Sequence, residues 1–80
     1  MLSAYMLIQT EVGKVAHVAH VAQALSNVDG VELGEDITGP YDVIVRIQAP
    51  DLDQLGRLVA SRIQLVDGVT RTLTCMVIHR

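Results

Sequence analysis

The sequence predicts an α+β sandwich with elements in the order β-α-β-β-α-β, on three observations. Apolar residues recur at helical spacing in two separate windows, and four other windows run apolar or alternate with a period of two. Val28-Asp29-Gly30-Val31 also returns as Val66-Asp67-Gly68-Val69, each time between a helix and a strand. The two halves of a split-βαβ, ferredoxin-like fold carry such an echo. The expectation is one domain over residues 1–80, a four-stranded antiparallel sheet with both helices on one face.

The elements follow in order. Tyr5-Met6-Leu7-Ile8 is an apolar run that reads as a buried strand, and Glu11-Val12-Gly13 breaks it. From Lys14 to Leu25, Val15, Val18, Ala19, Ala22 and Leu25 gather in one helical stripe, with Lys14, His17, His20 and Gln23 outside it. Asp29-Gly30 ends this helix with a residue tolerant of the left-handed conformation. Val31, Leu33 and Ile37 then fall on one side of a second strand, Glu32 and Asp36 on the other. Thr38-Gly39-Pro40 signals a turn. Val43, Val45, Ile47 and Ala49 alternate with Ile44, Arg46 and Gln48 until Pro50 stops the third strand. Asp51 is placed to cap the second helix, with Gln54 as its capping-box partner. Leu52, Leu55, Val59 and Ile63 make that helix amphipathic, Asp67-Gly68 closes it, and Val69 to Ile78 reads as the last strand.

Composition limits what the domain can do. A chain of 80 residues buries only about 60–65% of the surface its unfolded form exposes, so it is marginal without help. Cys75 is the only cysteine, which excludes an internal disulfide and a cysteine-based zinc site. Association is the remaining support. A formal net charge of −3 and scattered basic residues (Lys14, Arg46, Arg57, Arg62, Arg71, Arg80) argue against a nucleic-acid surface. Two tyrosines are too few for base stacking. The N-terminus lacks the basic region of a signal peptide, and no apolar run is long enough to span a membrane. A free thiol without an export signal points to the cytoplasm.

The last strand is apolar on both parities, with Leu73, Cys75 and Val77 on one and Met76 and Ile78 on the other, and Ile44 adds to the outward side of the third. A sheet that is apolar on its uncovered face predicts a second copy packed sheet to sheet. A standard interface buries roughly 1,600 Å² in total.

Thr38-Gly39-Pro40-Tyr41-Asp42-Val43-Ile44-Val45, Pro50-Asp51-Leu52 and Gly68-Val69-Thr70-Arg71-Thr72-Leu73-Thr74 together resemble the effector-binding domain of the Lrp/AsnC regulators, over about residues 5–78. The resemblance implies sheet-packed dimers that assemble into rings, commonly octamers, with amino acids bound between neighbouring dimers. Typical members place a helix-turn-helix domain ahead of this module. Here the chain begins at the first strand, so the expectation is a stand-alone form without direct DNA contact, acting alone or with a full-length relative.

Carried over residue by residue, the resemblance places an effector site at Gly39, Tyr41 and Asp42 of the turn and Thr72 and Thr74 of the last strand, with Ile37 and Leu52 as apolar wall. The chemistry suits a zwitterion: Asp42 offers an acceptor for an ammonium, and threonine hydroxyls and turn N–H groups offer donors for a carboxylate. Plainer readings stand beside it. Gly39 to Asp42 also suits an ordinary hairpin connection, and alternate threonines are common strand formers. His17 and His20, three residues apart, have no third ligand nearby and read as a solvated helix face, and Cys75 reads as a small hydrophobe. No catalytic residue, metal or cofactor is expected.

Three functions follow. The first is an amino-acid-sensing, oligomerising module that modulates a transcription regulator. The second is a ligand-free interaction module joined to a full-length relative. The third is a small dimeric α/β-barrel enzyme of the oxygenase or isomerase type, which requires a buried acid or base in a cleft between helices and sheet.

Overall fold

Leu2–Thr10 contains neither glycine nor proline, and in the computed structural model it forms one uninterrupted strand, β1, longer than its apolar centre predicts. The structure describes residues 1–11, 13, 15–27 and 30–78, with 15 and 16 described by their backbone alone. The expected helix start at Lys14, the Val28-Asp29 half of the repeated tetrapeptide and His79 lie outside these residues. After β1 come α1 (Val15–Ser26), β2 (Val31–Asp36), β3 (Val43–Ala49), α2 (Leu52–Leu58) with a π-helical extension at Val59–Ile63, and β4 (Val69–Met76). The sheet order is β2-β3-β1-β4 and every neighbouring pair is antiparallel, which is the expected ferredoxin-like arrangement.

Period-two alternation decides which side chains form the core. Ala4, Met6 and Ile8 of β1 and Val43, Val45, Ile47 and Ala49 of β3 are buried against the helices. Each large side chain buried this way contributes about 1.5–3 kcal/mol. The buried face of α1 differs from the expected stripe: Val21 is fully buried, while Ala19 is exposed. Val18, Val21, Ala22 and Leu25 follow the i, i+3, i+4, i+7 spacing of a single helical face, and that face meets the sheet.

The strand β2 departs from simple alternation because it carries a bulge. Val31 pairs with Ile47 and Leu33 with Arg46, leaving Glu32 as the extra residue. Val31 therefore faces the helices, whereas Leu33 turns to the opposite face and is 41% exposed. The same shift brings Gly34 beneath α1. A Cβ there would lie 2.7 Å from Ser26 Oγ and 2.9 Å from the Ala22 carbonyl oxygen, so the close approach of α1 requires glycine.

The α2 N-terminus forms as the sequence predicts. Asp51 has extended backbone angles and its Oδ1 accepts from the Gln54 N–H at 2.8 Å. Leu55 and Ile63 point inward, but Leu52, expected on the buried stripe, is 65% exposed. Leu52 is the first helical residue, directly after the Asp51 cap, and Leu55 is the residue of that turn that enters the core. The helices pack chiefly over β2 and β3. The opposite sheet face, with Tyr5, Leu7, Leu33, Ile44, Leu73 and Cys75, is covered by no element among the described residues. Among the described residues, no helix is long and apolar enough to cross a membrane.

Candidate functional site

The connection between β2 and β3 is fastened down by backbone and side chain together. Ile37 N–H donates to the Asp42 carbonyl and Asp42 N–H donates to the Ile8 carbonyl, both at 2.9 Å. One carboxylate oxygen of Asp42, Oδ2, accepts from the Thr10 backbone N–H at 2.8 Å and from its hydroxyl at 3.1 Å. The other oxygen has no partner among the described residues, so an acceptor remains available. Gln9 extends the tie on both sides, donating from Nε2 to the Pro40 carbonyl at 3.0 Å while its own carbonyl accepts the Thr70 hydroxyl at 3.1 Å. Gly39 supplies the turn's conformation at φ +130°, with open space around it.

Thr72 pairs with Ile8, which also pairs with Val43, so it sits at the same end of the sheet as Asp42 but two strands away. Two strand spacings are about 10 Å. Gln64, just past the π-helical turn, donates from Nε2 to the Thr72 hydroxyl at 3.3 Å. Together with Val69, Thr70 and Arg71 they line a recess of about 290 Å³. Thr74 pairs with Met6, one step along the same face, and is exposed.

Of the seven residues singled out by sequence, Ile37, Gly39, Tyr41 and Asp42 come together in one hairpin, with Thr72 and Thr74 across the sheet from them. Leu52 does not join them. It follows the far end of β3, a strand length of about 20 Å from Asp42, and borders a separate recess of about 600 Å³ with Asp53, Gly56, Arg57 and Ala60. In a single protomer these seven residues do not form one pocket.

The chemistry of the rim is polar and non-covalent: one unspent carboxylate oxygen, an amide and hydroxyls. Among the described residues there is no cluster of three metal-ligating side chains. His17 differs from the expected solvated face. It is half-buried, and its Nε2 donates to the Asp67 carbonyl at 3.2 Å, which ties α1 to the loop before β4. His20 is exposed, and neither imidazole lines either recess.

Gln9, Thr10 and Gln64 belong to this rim and were not predicted. Thr10 meets Asp42 across 32 residues of sequence, a pairing no local pattern encodes. A polar pair closing an apolar strand is the one signal that marks Gln9 and Thr10.

Comparison with known proteins adds the following. The profile of the Lrp/AsnC ligand binding domain matches residues 3–80. The homocitrate synthase of Saccharolobus islandicus is 32% identical over 74 residues, which are 92% of this chain and 16% of the synthase. The chain thus spans about a sixth of the length of such curated relatives. TTHA0845 from Thermus thermophilus superposes with a TM-score of 0.88 at 26% identity, over 100% of this chain and 96% of that one. The transcriptional regulator NMB0573 of Neisseria meningitidis, in complex with L-Met, shares the fold with a TM-score of 0.83 at 18% identity, over 98% of this chain and 50% of its own.

Proposed function

Because the chain belongs to the Lrp/AsnC ligand-binding-domain family, we propose that it is an effector-sensing regulatory module that takes a small amino-acid-type metabolite where copies of the chain meet. The family match over residues 3–80 carries this reading. Two features of the protomer support it: an apolar sheet face suited to pairing two copies, and site residues divided between opposite ends of the sheet. The L-Met complex of NMB0573 supports the ligand class.

The mechanism is linkage. A ligand that completes its contacts only between copies stabilises the assembly that provides them, by as much as its affinity differs between the two states. The free carboxylate oxygen of Asp42 receives the ammonium, and threonine hydroxyls and the Gln64 amide receive the carboxylate. No nucleophile or general base takes part. The shared stretch in homocitrate synthases favours a second output for the same sensor, control of an enzyme in place of a promoter.

Calorimetric titration with each of the twenty amino acids, run beside sedimentation velocity, tests the proposal. The expected result is at least one saturable heat at roughly micromolar to millimolar concentration, accompanied by a change in assembly state. Absence of both for every amino acid and for the corresponding 2-oxo acids removes the reading.

A further inference from the structure

The open sheet face combines Leu7, Leu33, Ile44 and Leu73 with a few polar and charged groups, of which Arg46 is held by two side-chain partners. Arg46 lies 5.1 Å from the centroid of the Tyr5 ring, donates from Nη1 to the Tyr5 hydroxyl at 2.7 Å and from Nε to Glu32 at 2.9 Å. The hydrogen bond to Tyr5, above all, raises its pKa over the ordinary arginine value, and the Tyr5 charge and Glu32 act in the same direction against some desolvation. Arginine stays charged in proteins, and the two hydrogen bonds and the Tyr5 ring hold this one in place. Leu33, Ile44 and Leu7 neighbour it on the same face, and Leu73 lies beyond Leu7 on β4.

A guanidinium has five N–H groups, and among the described residues two of them are engaged within the protomer. A second sheet laid on this face takes the others out of water, so acceptors must come from that sheet. The bulge in β2 supplies one. By turning Leu33 outward it also turns Glu35 outward, opposite Ile44, and Glu35 has no ion pair among the described residues. Arg71, paired with Gln9, lies on this face as well. Two carboxylates and two guanidinium groups therefore balance on a face of a chain whose net charge is −3. Two acidic chains can meet through such a neutral face, and a twofold axis uses any cross-contact twice.

We propose that the Tyr5–Arg46–Glu32 cluster fixes the register of a self-pairing sheet face, with the unspent Arg46 donors of one copy taking the Glu35 carboxylate of the other. The occupant is a second copy of this chain, and the inference rests on the sheet-paired dimer of the preceding subsection. Charged groups set within an apolar interface act on specificity more than on affinity.

Charge exchange tests this. Glu35→Arg and Arg46→Glu are each examined by sedimentation equilibrium, alone and mixed in equal amounts, with circular dichroism to verify the fold. Each variant alone is expected to self-associate at least about tenfold more weakly than the wild type, because like charges then face one another. The mixture is expected to recover pairing to within about threefold. Glu35 has no ion-pair partner among the described residues of the protomer, so Glu35→Arg reports even where Arg46→Glu fails to fold. A Glu35→Arg variant that pairs like the wild type overturns the proposal, as does a mixture of folded variants that pairs no better than they do singly. A wild-type chain that stays monomeric overturns the sheet-paired dimer itself, which keeps the two failures apart.

Discussion

A single oxygen of Asp42 accepts both the backbone N–H and the hydroxyl of Thr10, at 2.8 Å and 3.1 Å, and so fastens the β2–β3 connection to the end of β1. Charge-assisted bonds of this kind contribute about 1.5–3 kcal/mol each. Asp42→Ala is expected to lose stability on that order by urea unfolding, and Thr10→Val less, since its backbone N–H still donates. In the Asp42→Ala background the Thr10→Val effect should nearly vanish, and a fully additive double mutant would show the two residues to be uncoupled.

Gly34 gives a second prediction. Gly34→Ala is expected to cost about 1–3 kcal/mol in thermal unfolding, because the added methyl group meets both Ser26 Oγ and the Ala22 carbonyl. Adding Ser26→Ala should recover only part of the loss, since the backbone carbonyl cannot be removed.

The cap of α2 is separable from the core. Asp51→Ala is expected to cost about 1 kcal/mol in chemical denaturation. Asp51→Asn retains the side-chain oxygen and should cost less. Equal losses would place the contribution in charge and not in the hydrogen bond to Gln54 N–H.

Leu73 tests the open face. It is 45% exposed in the protomer and pairs with Leu7 in the middle of the uncovered surface. Leu73→Glu places a carboxylate where a second sheet is proposed to pack. Its self-association by sedimentation equilibrium is expected to weaken by at least about tenfold, while the thermal stability of the isolated protomer changes little.

Much of the fold was legible because local rules dominate it. β3 alternates without interruption, Asp51 and Gln54 sit at capping spacing, and Gly68, at φ +96°, occupies the expected left-handed turn. β2 was misread beyond Val31 because a bulge reverses parity, and nothing in Glu32-Leu33-Gly34 announces one without knowledge of what α1 needs beneath it. The place of Val21 in the core depends on how α1 is rotated against the sheet, which stripe-counting left open by one position. In the candidate site, the hairpin half was legible from Gly39 and Asp42. Thr10 and Gln64 were not, because their partners lie 32 and 8 residues away and are brought near only by the tertiary arrangement. Leu52 enters the site only through the family resemblance, and nothing along the chain shows which end of the sheet each residue occupies.

The separation of Asp42 and Leu52 by the length of β3 has a consequence for physiology. A binding cavity that draws on both needs contributions from two polypeptides, so its abundance rises with the square of protomer concentration when pairing is weak. On the proposed reading, occupancy of that cavity depends jointly on ligand and protomer concentration, so dilution alone lowers it.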